Sequence, residues 1–182
     1  MQNLLVSNKN FTAGELAGAL AKGLLAGLAG TVAITLSQMI EMKITGRKPG
    51  DAPVKVASQV TGVNPPANTN KEVLNNGVHF AYGTSWGAVR GLLDFAGIKG
   101  IPATLMHFGA IWATELIMLP QYNAAQPVTR QKPKSIAIDV LHHAVYAVAA
   151  GIAFKMLNAR KKREKDLKEL NQHIKGLDFY GY

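Results

Sequence analysis

Apolar residues gather into four long runs along this chain, at 23–44, 77–98, 101–122 and 136–157, and charge is concentrated between and after them. Each run approaches the roughly 20 residues that an α-helix needs to cross a hydrocarbon core. A helix on the surface of a water-soluble protein carries one apolar stripe and a charged opposite face. These runs are instead apolar around most of their circumference, which predicts membrane-spanning helices. The second run is the most polar, because it includes Arg90 and Asp94.

The connections predict how the runs are joined. Between the first two lies TGRKPGDAPVKVASQVTGVNPPANTNKE, too polar to span but patterned: Asp51 can cap a short helix, Pro53 suits its first turn, and Gly62 can end it. This segment reads as an interfacial helix followed by an irregular NPPANTN link, and it is placed to act as a connector or as a lid. Only Lys99 and Gly100 separate runs two and three, so these predict a tight antiparallel hairpin, and Pro120 with QYNAAQPVTRQKPK ends the third. Small residues stand four positions apart at Gly14 and Gly18, at Gly23 and Gly27, at Ala26 and Gly30, and at Gly83, Gly87 and Gly91. Such spacing lets helix backbones approach closely where lipid supplies no hydrophobic drive. The expected fold is all-α, an integral membrane up-and-down four-helix bundle with a short interfacial helix and a basic C-terminal helical tail. Residues 1–157 form the transmembrane domain and 158–182 the tail.

Counting along the four helices puts ionisable residues at common depths. Glu41, His79, Glu115, Asp139, His142 and His143 fall near one membrane face, while Arg90 and His107 form a second polar pair in the opposite half. At about 100° per residue, each helix also collects its polar residues on one side, for example His79, Gly83, Trp86 and Arg90 on the second and Asp139, His143 and Tyr146 on the fourth. In lipid those sides turn inward, because an ionisable group in hydrocarbon is costly unless partnered or hydrated.

Three kinds of interior follow from such a layer. It can be a hydrogen-bonded network that orients the helices, with His and Tyr donating to carboxylates and Arg90 neutralised by Glu or carbonyl partners. It can be a metal or haem site, since imidazole and carboxylate on facing helices bind iron, manganese or zinc and two imidazoles bind haem. The paired Glu-x-x-His motifs of di-iron bundles are missing, however: Glu41 is followed three positions on by Ile44, and Glu115 by Met118. It can also be a path for protons or ions, for which one four-helix chain leaves little aqueous space. The cofactor remains open on this reading.

Charge changes the picture at the far end. Of the formal net charge of +9, much belongs to the tail, which begins at the membrane exit with Lys155, Arg160, Lys161, Lys162, Arg163 and Lys165. Arg160, Lys161, Lys162 and Arg163 suit anionic headgroups or a partner surface. Beyond them Leu167, Leu170, Ile174 and Leu177 recur on one narrow helical stripe able to dock on a partner. Clustering at a membrane exit makes nucleic-acid binding a poor explanation for the basic charge. The absence of cysteine excludes thiol catalysis, disulfides and iron–sulfur ligation. There is no phosphate-binding loop, nucleophile elbow or HExxH motif, so no enzyme is predicted. The start, MQNLLVSNKNFTAGEL, lacks the pattern of a cleaved signal peptide. An even number of spans puts both ends on one side, and the tail cluster assigns that side to the cytoplasm, against a counter-pull from Lys43, Arg47, Lys48, Lys55, Arg130, Lys132 and Lys134.

The strings GLAGTVAITLSQMIEMKITGRKPGDAP, LNNGVHFAYGTSWGAVRG and IDVLHHAVYAVAAGIAF resemble segments of small bacterial integral membrane proteins with four predicted helices and no assigned activity. The resemblance covers about residues 20–157. It implies a bacterial inner-membrane location and transfers no catalytic residues. The expected function is that of a non-catalytic accessory or scaffold subunit, in contact with the lipid bilayer and with other membrane subunits or further copies of itself. The alternative is a proton-linked or metal- or haem-binding role at the polar layer.

Overall fold

The computed structural model describes residues 12–66 and 68–178, with side chains as far as Ile174. The signal-peptide reading of the first eleven residues and the Leu177 side chain lie outside the described residues. Five α-helices form in the order α1 (Ala13–Thr45), α2 (Ala52–Thr61), α3 (Lys71–Phe95), α4 (Gly100–Gln121) and α5 (Pro133–Asp178), with a 3-10 turn at Val128–Arg130 before the last. No strand occurs among the described residues.

Helix ends follow local chemistry more closely than hydropathy. α1 starts ten residues before its apolar run because Thr12 and Glu15 form a reciprocal capping box, in which each side chain accepts from the other's backbone N–H. It stops at Gly46, whose φ of 71° is left-handed. α2 begins after Asp51, as expected, but the Asp51 side chain makes no cap. Asn75 of α3 does that work: its Oδ1 accepts from Val54 N at 3.2 Å and its Nδ2 donates to Gly50 O at 3.0 Å. The amide of Asn75 thus pins α2 to α3. The link between α3 and α4 is longer than Lys99 and Gly100 alone, because α3 ends at Phe95 and left-handed Gly97 and Gly100 turn the chain. α5 does not end at residue 157. It continues unbroken, supported by i,i+4 pairs between Arg160 and Glu164 and between Lys165 and Glu169.

Packing is dominated by α1, which lies antiparallel to both α3 and α5. Gly23 and Gly27 face Gly87 and Gly91 so closely that a Cβ built on Gly27 would lie 2.7 Å from the Gly87 Cα. Gly30 admits the Tyr146 ring. These stripes are therefore internal seams, whereas Gly14 faces open space and Gly18 meets only the Lys161 amine. α4 lies mainly along α5, and the α3–α4 hairpin shares little surface of its own. The small residues sit on α1 and α3, so those two helices reach the closest approach. Ile34, Ile111, Tyr146, Ala147 and Ala150 form the apolar core, flanked by Trp86 and Phe108.

Three helices, α1, α4 and the 133–174 part of α5, are long and apolar enough to cross a membrane. α3 does not reach that standard. The distribution of burial explains how the helices tolerate each other: Thr31, Arg90, His107, His142 and His143 are buried, while Leu25, Leu36, Ile40, Ile101, Leu105, Ile117 and Ile152 are exposed. Polar and charged side chains thus share the interior with the small apolar core, while large apolar side chains cover much of the outside, a distribution unlike that of a water-soluble protein.

Candidate functional site

The residues of the expected polar layer meet in two groups. In the first, Glu115 of α4 pairs with Nε2 of His143 on α5, and Asp139, one turn earlier on α5, approaches His143 Nδ1 at 3.4 Å through its carboxylate. The i,i+4 spacing of Asp139 and His143 stacks them on one face. One ligand atom from each of Glu115, Asp139 and His143 lies within 4.8 Å of the others. Trp112 Nε1 donates to Asp139 Oδ2 at 2.8 Å, which fixes that carboxylate from the α4 side.

Backbone geometry defines the protonation pattern of His143. Its Nδ1 lies 2.9 Å from the carbonyl oxygen of Asp139. A carbonyl only accepts, so Nδ1 carries the proton and Nε2 is the nitrogen offered to Glu115. A proton therefore lies between His143 Nε2 and the Glu115 carboxylate, bonded to one or shared by both. The same arrangement presents Nε2 as a metal ligand whose ring is already oriented by its other nitrogen. A cation binding there would displace that proton.

This group is reachable from outside. A groove of about 460 Å³ runs past Glu115 and Asp139, with Leu119 and Pro120 on one wall and Arg130 and Lys132 among the residues lining it. The loop after α4 shapes the groove: left-handed Asn123 and the Val128–Arg130 turn fold it back over the end of α4. α2 is tied to this loop, since Gln59 Nε2 donates to Tyr122 O at 2.8 Å and Lys55 donates to Asn123 O. No α2 residue lines the groove, so the connector role fits α2 better than that of a lid.

The second group is Glu41 with His142. Arg47 donates to Glu41 Oε2 through Nε at 2.9 Å and Nη2 at 2.7 Å, and Thr45 donates to Oε1 at 2.9 Å. His142 Nε2 stands 3.9 Å from Glu41 and makes no hydrogen bond among the described residues, while its Nδ1 is 2.9 Å from Ser37 Oγ. His79 joins neither group by a hydrogen bond. Its Nε2 is buried without a partner among the described residues, although Glu115 and His143 are its electrostatic neighbours.

The second expected pair, Arg90 and His107, is buried but not joined. His107 Nε2 donates to Trp86 O at 3.0 Å, and its ring meets Tyr146 edge-on at 5.6 Å. Arg90 was expected to be neutralised by a Glu or a carbonyl. Instead its guanidinium lies 4.6 Å from the centre of the buried Phe154 ring, with Asp94 the acid that acts on it, and Nε and Nη1 have no hydrogen-bond partner among the described residues. Arg90 sits one turn before Asp94 on α3, so the neighbouring acid comes from its own helix.

Several participants were not foreseen. Trp112 lies three residues before Glu115 and Ser37 four before Glu41, so helical spacing places both on the layer's own face. Arg47 and Phe154 carried no such signal. The four basic residues Arg160, Lys161, Lys162 and Arg163 lie on the exposed part of α5. Comparison with known protein families, characterised proteins and solved structures finds no match.

Proposed function

We propose that the chain is an integral membrane protein, an up-and-down four-helix bundle of α1, α3, α4 and α5, that serves as a non-catalytic accessory subunit of a larger membrane assembly. The distribution of polar and apolar side chains supports insertion of all four helices, α3 included, because its polar side is turned onto its neighbours. Tyr146 donating to Gly83 O at 2.6 Å, Thr31 to Gly27 O and Thr35 to Thr31 O satisfies these three hydroxyls within the bundle. The resemblance to bacterial four-helix proteins supports an inner-membrane location, and the tail cluster supports cytoplasmic ends.

One observation carries the accessory role. α5 extends about 30 Å beyond residue 157, at 1.5 Å per residue, and Leu167, Leu170 and Ile174 stay about half exposed along it. A stripe of apolar residues on a projecting, otherwise charged helix fits the groove of a partner. Deleting residues after Leu157 should leave membrane insertion intact and weaken co-purification with partner subunits. Unchanged yield and salt resistance of those partners would remove the docking role.

A second reading, metal binding, is favoured by the convergence of Glu115, Asp139 and His143 beside an open groove. Two carboxylates and one imidazole form a donor set for iron, manganese or zinc. Purification from native membrane followed by metal analysis and an optical spectrum separates the two readings. Stoichiometric metal that is lost in Glu115→Gln and His143→Ala would favour the second, and metal-free protein with intact partners would favour the first.

A further inference from the structure

At the end of the molecule remote from the groove, α1, α3, α5 and the α3–α4 turn bring cations together. Lys22 of α1 donates to Asn158 Oδ1 of α5, and the Asn158 amide donates to Asp94 of α3 at 3.4 Å. The Lys22 amine also lies 5.4 Å from the centre of the Phe154 ring, the same ring that Arg90 approaches. Lys161 reaches back to α1, where its amine is 4.0 Å from the point a Cβ would occupy on Gly18, one turn before Lys22. Lys99 and Lys161 both act on the Lys22 charge, and Asp94 is the acid that does so. Four cations, Lys22, Arg90, Lys99 and Lys161, thus gather around one carboxylate.

Cations outnumber acids at this end even with Glu15 of α1 and Glu164 of α5 included, because Glu164 is already paired with Arg160 and Lys162 and Arg163 add to the basic side. Arg90 is almost wholly buried, so its charge is fixed in the protein and keeps the site positive. Lys99 and Lys161 are exposed and Lys22 is partly so, which leaves their amines open to a ligand. The cluster lies where α3 ends and α5 leaves its long apolar run at Leu157, so in the bundle proposed above it is at headgroup depth. Exposed Leu92, Ile101 and Met156 occupy the same ends of their helices and offer apolar surface to acyl chains.

We propose that this cluster binds the phosphate of an anionic phospholipid, with Lys22 and Lys161 in contact and Arg90 acting through its field. The inference rests on the membrane reading. Basic pockets between membrane helices select lipids by charge at this depth.

The full-length protein, purified in a nonionic detergent, would be exposed to phosphatidylglycerol and phosphatidylcholine with identical acyl chains and examined by native mass spectrometry. The parent should retain phosphatidylglycerol preferentially. Lys161→Gln should weaken that retention about fivefold and Lys22→Gln with Lys161→Gln about 30-fold, from the usual contribution of a basic residue beside an anionic surface. Lys132→Gln with Lys134→Gln, at the opposite end, should leave it unchanged. Equal retention by parent and double variant, or equal losses from both double variants, overturns a specific site. Displacement of the lipid by millimolar inorganic phosphate overturns a lipid site in favour of a free anion. If the Lys22 change prevents folding, the exposed Lys161→Gln alone decides the matter. Failure of the membrane reading would look different: the chain would then be released from membranes by alkaline extraction.

Discussion

Removing Glu115 and His143 singly and together gives the sharpest test of the polar layer, because the two side chains meet directly while other layer residues only lie near one another. His143 has 9% of its side chain exposed and Glu115 27%. A hydrogen bond to a charged group contributes about 1.5–3 kcal/mol net, and an orphaned buried partner loses about 1–3 kcal/mol. Water entering from the groove beside Glu115 favours the lower half of that range. Each single alanine variant should therefore destabilise the detergent-solubilised protein by about 2 kcal/mol. The double variant should lose about 1 kcal/mol less than the sum, since groups in contact are non-additive. Dodecyl sulfate titration in mixed micelles, followed by far-UV circular dichroism and by fluorescence of Trp86 and Trp112, supplies the free energies. Glu41 with His142, at 3.9 Å and without a hydrogen bond, and His79 with Glu115 should each couple by less than about 0.5 kcal/mol. Additivity of Glu115 with His143 within that same margin would refute the pairing. Equal coupling across all three pairs would refute the division of the layer into two groups.

Gly87→Val places a branched side chain onto the Gly23 and Gly27 backbone and should destabilise the protein by about 3 kcal/mol or more, at or beyond the upper range for overpacking, whereas Gly109→Ala, which meets nothing within 4 Å, should stay within about 1 kcal/mol; equal losses in the same titration would disprove the α1–α3 seam. The chain has no cysteine, so single cysteines at Lys99 and Gln172 should be labelled by a membrane-impermeant thiol reagent from one side, and those at Asn68 and Asn123 from the other. Labelling of Lys99 and Asn123 from the same side would exclude a spanning α4.

Legibility in the sequence followed the range of the interaction. Helix-forming runs and the Gly62 end of α2 depend on spacing within a helix, and the structure has them; counting depth put six ionisable residues in one layer, of which the structure joins Glu115, Asp139 and His143. Partner choice depends on rotation of one helix about another, which depth does not reveal. Hence His142 and His143, adjacent in the chain, serve different groups: 100° of rotation directs one towards α1 and the other towards α4. The cap on α2 comes from Asn75, 21 residues beyond Val54, and no local motif announces it. The tail reads as helical in the sequence, but its unbroken continuation from the last apolar run does not, for another reason. Hydropathy marks where a helix leaves apolar surroundings, and helix propensity, high in a run of Lys, Arg, Glu and Leu, marks where it stops.

α3 brings these arguments together. By composition it falls short of a spanning helix, yet it carries Gly83, Gly87 and Gly91 against α1 and the buried Arg90. Hydropathy sums a helix over its whole circumference, whereas lipid meets only the side that its neighbours leave uncovered. A helix drawn into glycine-to-backbone contact on one side can hold polar groups there without exposing them to hydrocarbon. The close seam and the low hydropathy are then one property: the glycines that admit α1 are also weakly apolar, and the shelter they create is what permits Arg90. Widening the seam should therefore expose Arg90 as well as loosen the helices, so the Gly87 substitution ought to abolish the cation–π contact with Phe154 as it breaks the packing.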